Sequence, residues 1–210
     1  MYLYVFGSFC RGEIDQYSDV DLLIIKSENE DHTSCDLNKY SIYSEDRIKD
    51  LWKEGNPFAW HLYKESNLVS SEDNTDFLQQ LEAPNIYCNM EKDLKKFHKL
   101  FRDSCDSISK SKDSIDFDYS MIFLAIRNFA SCYSLGHLKE YNFSRNSSLR
   151  LNDDSLTISG NSYSILEKSR ILSTRGIGEN LLEEEYQMVL NEINIIENWF
   201  NKLMIKAINE

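Results

Sequence analysis

A chain of 210 residues with 23 Lys and Arg against 35 Asp and Glu has a formal charge of -12, the wrong sign of field to draw it to nucleic acid. Its residues are 41% hydrophobic and include 12 Tyr and 11 Phe, enough large core material to exclude intrinsic disorder, while the length allows one large domain or two small ones. Nucleic acid is thus disfavoured as a partner. Metal ions, cationic small molecules and basic proteins suit the field better.

The five Cys, at 10, 35, 88, 105 and 132, have no paired short spacing and read as free thiols of a reducing compartment, not as a disulfide framework or zinc site. No basic leader precedes the first apolar run, and no run approaches the ~20 residues of a membrane helix. A cytoplasmic location with no membrane partner is expected.

Residues 2–6 form a short aromatic and apolar run stopped by Gly7-Ser8, and residues 20–25 form a second, almost continuous one. Both predict buried strands. Residues 9–18 between them have room for a short helix and a turn, and residues 37–43 predict a weaker third strand. From Ser44 the period turns helical. Ser44-Glu45-Asp46-Arg47 offers an N-cap with acids behind it, and Ile48, Leu51 and Trp52 fall on one face. Gly55-Asn56-Pro57 closes that helix, residues 58–64 restart one, and residues 76–81 suggest another.

Beyond Pro84 nearly everything predicts helix: 90–108, 119–133, 163–172 and 181–208, with a polar loop at 144–160. The 119–133 stretch is apolar around most of its circumference and is expected at the centre of a bundle. Arg127 in that stretch needs a partner if it is buried. The fold class predicted is α+β: a small mixed β-sheet domain over residues 1–85, then an α-helical bundle over 86–210 that binds substrate or a partner.

The chemistry concentrates near the amino end, in Gly7-Ser8-Phe9-Cys10-Arg11-Gly12 followed by Ser18-Asp19-Val20-Asp21-Leu22. In a strand, residues i and i+2 share a face, so Asp19 and Asp21 are expected to project together while Val20 and Leu22 turn into a core. Two carboxylates ~5 Å apart repel by roughly 3 kcal/mol at an effective dielectric of about 20. A hard divalent cation between them removes that cost, and Mg²⁺ is commonly held by one or two carboxylates together with substrate phosphates. Gly7 permits close backbone approach, and Ser8 adds a hydroxyl and an amide at the mouth of the turn, parts that suit a triphosphate.

The run GSFCRGEIDQYSDVDLLI resembles the signature of the DNA polymerase β-type nucleotidyltransferase superfamily: Gly-Ser, a spacer, then Asp-hydrophobic-Asp. Its Arg11-Gly12 and Ser18-Asp19 details are most similar to the minimal nucleotidyltransferases, which include antitoxin partners of helical ribonuclease toxins. The length and helical second half are more similar to two-domain antibiotic nucleotidyltransferases such as the kanamycin enzyme. Gly55-Asn56-Pro57-Phe58 with His61-Leu62-Tyr63-Lys64-Glu65 resembles the helix that closes many such catalytic domains.

That resemblance implies transfer of a nucleoside monophosphate, AMP by preference, from an NTP to a hydroxyl of a small molecule or protein, with release of pyrophosphate. It implies nucleotide binding by Gly7, Ser8, Arg11 and Ser18. Asp19 and Asp21 become the catalytic metal ligands, for Mg²⁺ or Mn²⁺. The family's third carboxylate falls at Lys39 if residues 39–44 are the next strand with Tyr40 and Ile42 toward the core and Lys39 and Ser41 toward the open side. Asp36 then lies on the wrong face by the period of two, unless a bulge shifts it. Lys39 keeps a second reading open, a catalytically degenerate nucleotide-binding regulator or antitoxin-like protein, alone, as a homodimer or with a partner protein. A third is an RNA or tRNA 3′-end nucleotidyltransferase.

Overall fold

The computed structural model describes residues 1–14, 20–26 and 40–209, which divide into two compact units at Cys88/Asn89. The chain is α+β, a mixed sheet with helices followed by a helical region. In the first unit four strands run in the order β3-β2-β1-β4. These are β1 (Tyr2–Phe6), β2 (Asp21–Lys26), β3 (Ser41–Ser44) and β4 (Ser66–Ser71). β1 lies antiparallel to both β2 and β4, and β2 lies parallel to β3. The β4 strand was not legible in the sequence. Its residues are mostly polar and Val69 is exposed, so its place at the sheet edge comes from pairing with β1.

Local signals account for the helices of this unit. The α1 turn (Ser8–Arg11) follows Gly7, and Gly12 in the left-handed conformation ends it. Ser44 caps α2 (Glu45–Lys53) by accepting from the Arg47 amide at 3.1 Å, as Ser/Thr/Asp/Asn caps do. Asn56 caps α3 (Pro57–Glu65), where proline suits the first turn because its missing N–H has no helical partner there. Asp76 caps α4 (Phe77–Gln80) and also accepts from the Tyr4 hydroxyl at 2.8 Å.

One face of the sheet packs on these helices. Tyr4, Phe6, Leu23 and Ile25 meet Ile48, Leu51, Trp52, Ala59, Leu62, Phe77 and Leu78. Gly55 is needed between α2 and α3, since its φ is +60° and a Cβ there would lie 2.5 Å from the Ile86 carbonyl oxygen. The segment after α4 is laced back to this unit by the Trp52 indole on the Glu82 carbonyl and the Trp60 indole on the Asn85 carbonyl, both at 3.1 Å.

The facing of β3 differs from the reading in which Tyr40 and Ile42 pointed to the core. Ser41 pairs with Leu23 and Tyr43 with Ile25, and Tyr43 packs on the helix-covered core with its ring centroid 5.5 Å from that of Phe58. The larger aromatic anchors the strand, which puts Ile42 beside Ile24 on the opposite face. Lys39 and Asp36 lie outside the described residues.

The second unit contains α5 (Met90–Lys110), α6 (Ile115–Tyr133), a π-helical turn (Ser134–Leu138), α7 (Gly160–Arg175) and α8 (Glu183–Asn209). The α6 helix is buried on most of its circumference and packs on α5, α7 and α8. Phe101, Phe129, Trp199 and Phe200 form an aromatic cluster, with Phe129 and Phe200 centroids 4.7 Å apart. Arg127 finds a partner in the Phe143 carbonyl at 3.2 Å. Among the described residues no helix is long and apolar enough to cross a membrane.

Asp154, 6% exposed, ties the 152–154 turn to α8. Its carboxylate accepts from the Tyr133 hydroxyl at 2.8 Å and from Lys206, with Lys202 at 3.2 Å, while its carbonyl accepts from the Trp199 indole at 2.7 Å. Burial pushes this carboxyl up, but the hydrogen bonds from Lys206, Tyr133 and Lys202 outweigh it and hold the pKa below the ordinary value. A depressed folded-state pKa stabilises the fold above the unfolded pKa, and that contribution is lost as pH falls through the folded one. Asp154→Ala is expected to cost about 2 kcal/mol at neutral pH, less than a fully buried pair because both lysines are half-exposed. In urea unfolding the gap to the wild type should narrow below the ordinary carboxylate range.

Candidate functional site

Asp21 opens β2 opposite Phe6, the last residue of β1, so its carboxylate lies beside the turn that follows Phe6. In that turn Gly7 has φ 76° and ψ −137°, a combination costly to any residue with a side chain. Its amide donates to the Glu65 carbonyl at 3.1 Å, and its carbonyl accepts from the Cys10 and Arg11 amides at 3.1 and 3.3 Å. The chain thus leaves the sheet and enters α1 within one residue.

Gly7 itself is buried, and the group that approaches it closely is the Asp21 carboxylate. A Cβ at Gly7 would stand 2.7 Å from Asp21 Oδ2. The glycine thus makes room for a carboxylate, where the sequence suggested room for a phosphate. Ser8, the next residue, is half-buried, and Phe9 after it is 47% exposed.

The orientation of the strand end also differs from the sequence reading. Leu23 and Ile25 pack in the helix-covered core, and alternation puts Asp21 on their face beside Phe6. Leu22 and Ile24 take the other face, where they pair with Val5 and Leu3, and Val20 is 51% exposed instead of turning into a core. Asp21 nevertheless remains exposed, because it sits at the first position of the strand.

Of the residues singled out in the sequence, Gly7, Ser8 and Asp21 come together here. Ser18 and Asp19 lie outside the described residues. Arg11, expected to reach a phosphate, is held elsewhere: its Nε donates to Glu13 Oε2 at 2.9 Å and its Nη1 to Glu65 Oε2. The same Glu65 oxygen lies 2.9 Å from His61 Nε2. The side chains of Arg11, Glu65 and His61 are 17, 12 and 13% exposed, so water screens this cluster little. Burial pushes the Glu65 carboxyl up, but His61 and then Arg11 more than compensate and leave it below its ordinary value.

Glu13, His61 and Glu65 were not named as site residues, although Glu13 stands in the signature run and His61 and Glu65 in the segment read as the helix that closes the catalytic domain. The available signal was the spacing of His61 and Glu65, four apart and therefore on one face of a helix.

The exposed carboxylate at this strand end, 2.7 Å from where a Cβ at Gly7 would stand, is a hard oxygen donor of the kind that divalent cations take. Among the described residues no group of three or more His, Cys, Asp or Glu is gathered to hold a metal.

Residues 1–75 match the family model described as Polymerase beta, Nucleotidyltransferase. No curated protein matches the sequence. Among solved structures, the spectinomycin adenyltransferase AAD(9) from Enterococcus faecialis, solved with ATP and spectinomycin, is similar at 12% identity and a TM-score of 0.49. That similarity covers 96% of this chain and 91% of the other.

Proposed function

We propose that this chain, whose first 75 residues match the polymerase β nucleotidyltransferase family model, transfers AMP from ATP to a hydroxyl of a small molecule or protein. The acceptor oxygen attacks the α-phosphorus, the bond from that phosphorus to the β-bridging oxygen breaks, and pyrophosphate leaves. The acceptor proton passes to a base or to water. Such chemistry needs positioning and charge neutralisation, with no covalent enzyme intermediate.

Asp21 and Asp19 would hold Mg²⁺ or Mn²⁺, which when bound lowers the pKa of an attacking hydroxyl and neutralises charge on the leaving pyrophosphate. The Gly7-Ser8 turn would take the β- and γ-phosphates with its polar groups, Ser18 adding a hydroxyl to the nucleotide site. Arg11, already paired with two carboxylates, contributes by holding the turn. The observation that supports this reading best is the seating of the Asp21 carboxylate against Gly7, which joins the acidic strand end to the Gly-Ser turn.

The test is incubation with α-labelled ATP, Mg²⁺ or Mn²⁺, and a cell extract. Label in a small molecule or protein, with pyrophosphate released, is the expected result. ATP binding without any transfer overturns catalysis in favour of a degenerate nucleotide-binding protein. Label at an RNA 3′ end overturns the choice of acceptor.

A further inference from the structure

Glu65 grips the Gly7–Arg11 turn at both of its ends. At the first, its backbone carbonyl accepts from the Gly7 amide at 3.1 Å. At the second, its carboxylate pairs with the Arg11 guanidinium, which closes α1. His61, one turn earlier on α3, lies 2.9 Å from the same carboxylate oxygen, and Glu13 holds the Arg11 Nε at 2.9 Å. The C-terminal end of α3 is therefore a clamp on a four-residue helix too short to hold its own shape.

We propose that Glu65 is a positioning residue that sets the Gly7–Arg11 turn for the nucleotide's phosphates, an inference resting on the nucleotidyltransferase reading above. The carboxylate touches no reacting atom in this account. It acts through Arg11, and it stays ionised because His61 and Arg11 outweigh the effect of its burial. A charged group is required, since an amide of the same shape leaves the guanidinium with Glu13 as its one counter-charge among the described residues.

Two measurements on Glu65→Gln separate this role from general stability and from the functional reading. In hydrogen exchange, the Cys10, Arg11 and Glu13 amides, each bonded within the turn, should exchange about tenfold faster while the β1 and β2 amides keep wild-type rates. In steady-state transfer from ATP, KM for ATP should rise about tenfold with kcat little changed, as expected when uniform binding of the substrate is lost. Glu72→Gln, which removes an exposed ion pair with the amino terminus of the same unit, is the control and should change neither.

Arg11→Lys keeps the charge but not the two-pronged grip, and should give the same changes even if Glu65→Gln fails to fold. Wild-type exchange in the turn together with a wild-type KM, in whichever variant folds, overturns the proposal. Faster exchange in the turn with no ATP binding by the wild-type protein upholds the positioning and overturns the nucleotidyltransferase reading instead.

Discussion

Asp21→Asn should leave the protein folded and lower nucleotide transfer by about 10³-fold or more, the scale lost when charge stabilisation at a phosphoryl-transfer centre is removed. The substitution preserves shape and removes one negative charge. Asp21 is exposed at the start of β2, so its replacement takes nothing out of the packed core; a surface change of this kind usually alters stability by no more than ~0.5 kcal/mol. Its seat against Gly7 is equally open to an amide of the same size. What the amide cannot do is neutralise a divalent cation. The measurement is single-turnover transfer from α-labelled ATP beside a thermal unfolding curve. An unchanged Tm with the activity gone is the expected pair, and normal transfer removes Asp21 from the mechanism.

Gly7→Ala is expected to act on both stability and activity. The conformation at φ 76° and ψ −137° costs a residue with a side chain about 1–3 kcal/mol. The new methyl would also press on Asp21 Oδ2, 2.7 Å away. The carboxylate must then move, and a displacement approaching 1 Å is worth about 10²-fold in rate. Gly12→Ala is the matched comparison. It has φ +70° but no atom within 4 Å of its Cβ position, so it should cost only about 1–2 kcal/mol of left-handed strain and keep near-normal transfer. Urea unfolding and transfer rates on both variants separate strain from contact. Equal activity in the two would show that the contact with Asp21 is without consequence.

Much of the architecture was legible in the sequence because it rests on local patterning. The apolar runs that became β1 and β2, the Ser44 cap of α2, and the change of period after Pro84 each have a cause within a few residues. The facing of the strands does not. Residues 22–25 are Leu-Leu-Ile-Ile, apolar on both faces, so alternation alone could not say which set meets the helices. Tyr43 on Phe58 and Phe6 opposite Asp21 decide it, and those contacts join distant parts of the chain. β4 was invisible for a related reason, since its mostly polar residues carry little core signal beyond Leu68, and pairing with β1 is what the sequence does not show.

The candidate site divides in the same way. The Gly-Ser turn and the acidic strand end were readable as types of residue at a spacing, and Gly7 and Asp21 do meet. The behaviour of Arg11 was not readable, because it depends on Glu65, 54 positions away in the chain. A guanidinium in a phosphate-binding motif and a guanidinium in a buried ion pair look alike in sequence. Only the fold brings up the competing carboxylate.

Binding of Mn²⁺, followed by its electron paramagnetic resonance signal in the presence of a non-hydrolysable ATP analogue, tests the central claim without requiring the acceptor. The wild-type protein should bind the ion together with the nucleotide, and Asp21→Asn and Asp19→Asn should each weaken that binding by at least about tenfold. Equal Mn²⁺ affinity in the wild type and both variants would contradict the account.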